Sequence, residues 1–228
     1  MFITKPLHPI YGKLNLHLPG AAAQSMLDRP NVSEEEHVSY EAKLESVISN
    51  LDRPTAYAEA LKLRDQYPHW SRIHGVLGDF AMELGDHEKA IYHFKQGIAV
   101  SADFSNIAYI GRMYGRLNRY EDSLVVLSHV FEIRNQAPNQ QAALTVAGDL
   151  LVTLHRLNRG DEMVRVADIA IAEYGAVSSI EYQAILGLFV ADKKEEASER
   201  LNKALTNLNP QDPLLPRFEQ MRQVFDGS

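Results

Sequence analysis

Three short stretches, LGDHEKA at 84–90, LNRYEDS at 117–123 and LNRGDEM at 157–163, repeat one order of events: a leucine, a residue tolerant of left-handed backbone, a charged residue, and a fresh helical start. A chain that writes this corner repeatedly commits each copy to a helix, a tight turn and a second helix. Gly85 can take the turn conformation without a side-chain penalty, and Asn118 and Asn158 are the next best choice for it. The leucine is expected to bury the end of the first helix. The acidic residue is expected to start the second, where the helix macrodipole favours negative charge. Such a corner is a feature of architecture, not an active site.

From about Ser33 onward the pattern is helical throughout. Ser33 followed by Glu34, Glu35 and Glu36 reads as a capping box that opens a helix running to Leu51. Asp52, Arg53 and Pro54 break that helix, and Thr55 is expected to cap a second one ending near Tyr67 and Pro68. Trp70 to Leu84 carries Ile73, Val76, Leu77, Phe80 and Leu84 on one side, and Asp86 can cap the next helix through Ala90, Phe94 and Ile98. Ile107, Ile110 and Tyr114 repeat the pattern. A fourth pair spans about Gln140 to Leu157, turns at Asn158 to Gly160, and continues through Val164, Ala167 and Ile171.

Gly78, Gly111 and Gly148 fall inside first helices, 33 and 37 residues apart. A helical glycine costs roughly 1 kcal/mol relative to alanine, so a neighbouring helix is expected to pack over each missing side chain. At these residues the chain resembles the tetratricopeptide-repeat family, whose period is about 34 residues. LGDFAMELGDHEKAIYHFKQGI at 77–98 is the most typical unit, through Leu77, Gly78, Gly85, Ala90 and Phe94. IGRMYGRLNRYEDSLVVL at 110–127 is similar, with Ser123 replacing the expected alanine. The units at 147–167 and 185–210 are degenerate, and the first matches only through Ala56, Ala60, Leu63 and Pro68. The resemblance implies an all-α fold: an α-solenoid of about five antiparallel helical hairpins over residues 33–210.

Both ends depart from the array. In PQDPLLPRFEQMRQVF, Asp212 can cap, Pro213 suits a first helical turn, and Leu214, Phe218, Met221 and Phe225 form one apolar stripe. Residues 211–228 are therefore expected to be a C-terminal capping helix over the last repeat. Residues 1–32 alternate Leu14, Leu16 and Leu18 with Lys13, Asn15 and His17, the period of a strand. An extended N-terminal arm is expected there. It could lie along the solenoid, pair with a second chain, dock into a groove, or remain a loosely ordered tail. A homodimer through the arm or through the C-terminal helix stays open.

Composition narrows the function. A net charge of −7 argues against a general nucleic-acid binder, since neutralising phosphates takes clustered Lys and Arg. The chain has no cysteine, which excludes disulfides, thiolate zinc sites and cysteine nucleophiles. Pro6, Pro9 and Pro19 interrupt the start before any apolar run reaches signal-peptide length, and no stretch approaches a membrane span. A soluble cytoplasmic protein is expected. No Gly-rich phosphate loop, G-x-S-x-G elbow or H-E-x-x-H helix occurs, so no catalytic residue, cofactor or metal is assigned. His87 and His93, six apart, fall on different helix faces and are expected at the surface.

In the tetratricopeptide-repeat family the first helices line a concave face that receives a protein or peptide. The resemblance therefore implies a groove carrying Glu41, Glu45, Arg72, Asp79, Glu83, Arg112, Arg116 and Asp149. Arg112 and Arg116, one turn apart, can present two guanidinium forks to a carboxylate-bearing segment. Some chaperone-binding members use a Lys and Asn clamp; Asp79, Arg112 and Asp149 stand at the corresponding places, which disfavours chaperone tails as partners. The expected function is a non-enzymatic interaction scaffold, an adaptor or assembly factor. The alternatives are a dedicated chaperone for a secretion or pilus subunit and, from another class, a regulatory subunit of an enzyme.

Overall fold

The computed structural model describes residues 33–67, 70–100 and 104–226, so the expected arm lies outside the described residues. Eleven α-helices and one 3-10 turn are present among them, with no strand. The chain forms two compact units, one through Asn118 and one from Arg119.

The first unit contains α1 (Glu34–Asn50), α2 (Arg53–Gln66), α3 (Ser71–Glu83), α4 (His87–Val100) and α5 (Phe104–Arg116), each packed on the next. The capping box forms as expected: the Glu36 N–H donates to Ser33 Oγ at 3.2 Å, and the Ser33 N–H to Glu36 Oε2 at 3.0 Å. At α2 the cap is Asp52 instead of Thr55. The Thr55 N–H and hydroxyl both donate to its carboxylate, at 3.2 and 2.8 Å, because Pro54 in the first turn has no N–H to offer. Tyr40, Leu44, Ala56, Ala60, Ile73 and Leu77 make the core, and Trp70 closes it by stacking on Tyr67 at 5.0 Å.

Helix approach here is set by small residues. A Cβ on Gly78 would lie 2.4 Å from the Phe94 ring, so α4 lays this ring directly over the glycine. Gly97 makes the matching room for Asn106 of α5. Leu84 does not bury its helix end: it is 45% exposed, and Phe80 and Ala81 occupy the buried positions of that turn. His93 also departs from expectation. It shares the buried stripe of α4 with Ala90 and Phe94, is 2% exposed, and its Nε2 bonds the Tyr57 hydroxyl at 2.7 Å. His87 is half-buried.

The second unit contains α6 (Tyr120–Glu132), the 3-10 turn Arg134–Gln136, α7 (Gln140–Arg156), α8 (Gly160–Tyr174), α9 (Ser178–Val190), α10 (Lys194–Asn207) and α11 (Leu215–Asp226). Asn158 and Asp192 turn its corners at φ 57° and 58°. The N–H groups that follow them, of Arg159 and Lys193, reach back five residues to Leu154 and Leu188 carbonyls, as Gly85 and Asp86 arrange in the first unit. Ser123, where the repeat pattern expects alanine, is fully buried with its hydroxyl 3.1 Å from that of Thr153, which donates to the Asp149 carbonyl. α11 places Phe218 in the core with Ile185, Leu188, Ala197 and Leu201, and stacks Phe225 on Phe189 at 5.4 Å.

Gly160 is not a turn residue but a contact. A Cβ there would come within 2.5 Å of the Ala191 nitrogen and Gly187 carbonyl, so α8 and α9 meet backbone to backbone. Gly148, by contrast, has nothing within 4 Å of its missing Cβ, so no neighbour packs over it as the repeat pattern implied. The two glycines should respond oppositely to alanine. Gly148→Ala is expected to stabilise the protein by about 0.5–1 kcal/mol and Gly160→Ala to destabilise it by about 1–3 kcal/mol, read from urea unfolding midpoints.

Candidate functional site

The first helices of the first unit share a charged face. Arg72 of α3 is held by Glu41 and Glu45 of α1, one helical turn apart, which spreads one guanidinium across two carboxylates. Glu83, at the end of α3, pairs with Arg53, whose guanidinium lies over the Phe80 ring at 5.0 Å. Three of the four acidic residues assigned to this region therefore have a cation against them. Exposed pairs of this kind contribute at most about 1 kcal/mol each, so they order the surface more than they hold the fold.

The remaining acid, Asp79, sits differently. It is half-buried on α3, and its Oδ1 accepts no hydrogen bond. Burial, reinforced by Glu83 and opposed by Arg112, pushes its carboxyl up to about 6. On α5 the Arg112 guanidinium lies over the Tyr109 ring at 5.3 Å, and that ring stacks on Phe94 at 4.9 Å and 11°. Burial, and then the Asp79 charge, raise the Tyr109 hydroxyl above its ordinary value. Arg116 stands exposed one turn beyond Arg112. The seven assigned residues of this unit thus lie on α1, α3 and α5, while Asp149 stands half-buried on α7 of the second unit.

Tyr109 belongs to this set, although charge alone would not select it. Its signal is the spacing Tyr109-x-x-Arg112, which puts an aromatic ring under a guanidinium on one helical face. Chemically the arrangement can accept a donor at the Asp79 Oδ1, and it sets a guanidinium over an aromatic ring at Arg112 and Tyr109. Among the described residues no group of three or more His, Cys, Asp or Glu could hold a metal ion. No helix among them is long and apolar enough to cross a membrane.

No protein-family model matches the chain, and no curated protein matches it in sequence. Solved structures do match. YrrB, a TPR protein with an unusual peptide-binding site, aligns at a TM-score of 0.63 and 15% identity over 88% of this chain and 98% of its own. A Podosopora anserina putative kinesin light chain with nearly identical TPR-like repeats aligns at 0.54 and 14%, over 89% and 99%. The assembly chaperone of RpL4, Acl4, aligns at 0.50 and 16%, over 76% and 77%. At these identities the likeness is one of fold. The chain has the tetratricopeptide-repeat fold, an α-solenoid architecture of helical hairpins, in a form divergent enough that the repeat is clearer in backbone than in sequence.

Asp79 and His93 give this unit a two-sided response to acid. Folded Asp79 binds a proton more readily than the unfolded residue, so its burial penalty is full above pH 6 and relieved as pH falls toward 3.8. Buried His93, lowered to about 4 by desolvation, does the reverse: the unfolded chain takes up its proton first, and stability is lost as pH falls from 6.5 to 4. Asp79→Asn should raise stability by on the order of 1–3 kcal/mol at pH 7.5 and by little at pH 4. His93→Gln should flatten the loss between pH 6.5 and 4. Chemical unfolding across this range checks both.

Proposed function

We propose that the chain is a non-enzymatic scaffold that holds a protein or peptide segment against the face of α1, α3 and α5, as an adaptor or assembly factor. The observation that carries this reading is the Asp79, Tyr109 and Arg112 constellation. A half-buried carboxylate with an unbonded oxygen opposes folding, and it stands beside a guanidinium held in place by a stacked ring. A group held at a cost to stability can recover that cost on binding. Glu41, Glu45, Arg72 and Glu83 frame the face, and Arg116 extends it.

The favoured partner carries carboxylates for the Arg112 and Arg116 forks and a donor for Asp79, so it is a segment of mixed charge. Support also comes from the company of the fold: YrrB has a peptide-binding site and Acl4 is an assembly chaperone. Peptides selected from a random display library on the intact chain supply the test. Arg112→Glu with Arg116→Glu should weaken their binding about tenfold or more while far-UV circular dichroism stays the same. Unchanged affinity in a folded double variant would remove this face from the function.

A further inference from the structure

The second unit holds a cleft of about 860 Å³ that the repeat pattern does not account for. α8, α9 and α10 wall it, and the connection into α11 closes one end. Its floor is apolar: Val164, Ile171, Leu188, Ala204 and Phe218. Leu188 and Phe218 are core residues, whereas Val164 and Ala204 are only partly covered, so the cleft opens onto the outer surface of the terminal core. Around this floor stand five carboxylates, Asp168, Glu181, Glu196, Glu199 and Asp212, against two cations, Arg200 and Lys203.

The cations do not offset the rim. Arg200 is already committed, with Nε and Nη2 on Glu181 at 2.8 and 3.0 Å and Nη1 on Asp168 at 2.8 Å. These bonds tie α10 to both α8 and α9 and hold the walls at a set spacing. They also absorb one positive charge in two carboxylates, which leaves the rim acidic. An apolar floor inside an acidic rim is complementary to one kind of segment.

The geometry points to a second docking site: the cleft takes a cationic amphipathic segment of another protein, with apolar side chains on the floor and Lys or Arg on the carboxylate rim. The site is independent of the α1, α3 and α5 face and takes the opposite charge from the one Arg112 and Arg116 favour.

The absence of cysteine makes the test direct, because a single introduced thiol can be labelled without background. An environment-sensitive dye on Asn207→Cys, at the exposed edge of the cleft, reports occupancy, and the same dye on Gln141→Cys of α7 is the control. The probe is a synthetic Leu/Lys peptide with helical spacing, compared with a version carrying Ser in place of Leu. Saturable binding is expected at the first position and none at the second. Glu196→Lys with Glu199→Lys, both exposed, should weaken it at least tenfold, as should the Leu-to-Ser exchange; Arg112→Glu with Arg116→Glu should not. Equal binding of the Ser peptide would reduce the effect to charge and overturn the proposal, as would equal responses at the two dyes or unchanged affinity in the Glu196 and Glu199 variant. A wild-type dimer in sedimentation that this variant dissociates would assign the cleft to a second copy and overturn it equally.

Discussion

Close helix approach at a missing side chain is the constraint from which the first unit follows. Gly78 lets the Phe94 ring descend onto α3, and Tyr109 stacks on that same ring. Tyr109 in turn carries the Arg112 guanidinium. A packing decision at one glycine is thereby transmitted through two aromatic rings to a charge on the surface. In the second unit the equivalent step is Gly160 against Gly187, where two backbones touch and no ring intervenes. The architecture is the same, but the consequence for the surface differs, since a backbone contact presents no side chain onward.

Polar groups inside the helical layers follow a related logic. Tyr57 with His93, and Ser123 with Thr153, occupy places where an array built only for burial would use apolar residues. Each pair makes one hydrogen bond across two helices, so each favours the register that keeps it, because a buried polar atom that loses its partner costs about 1–3 kcal/mol. Such pairs distinguish one packing from its neighbours in a fold whose units otherwise look alike. Asp79 is a carboxylate in partial burial whose Oδ1 accepts no hydrogen bond, and burial raises its pKa accordingly.

Much of the helical framework was legible in the chain because its signals are local. The Ser33 and Glu36 capping box, the corners at Gly85, Asn118 and Asn158, and the Asp212 cap before α11 are settled by residues within one turn of each other. The errors were also local in kind. Thr55 and Asp52 both cap well, and only the position of Pro54 chose between them. Leu84 carries the right spacing for burial, yet the corner turns it outward. Part of the proposed face could be read too: charges on first helices were identifiable, whereas the stacking of Tyr109 depended on a ring contributed by α4.

The sequence by itself determined where helices begin and end and which stripe of each is apolar, since these depend on side chains and main-chain groups a few residues apart. Only the tertiary structure decided that Gly78 and Gly160 are contacts while Gly148 is open, that His93 is buried against Tyr57, and that α8, α9 and α10 leave a cleft between them. The physical reason is that a missing or buried side chain acquires its meaning from the atoms opposite it. Those atoms arrive from helices tens of residues away, at distances that no spacing along the chain encodes.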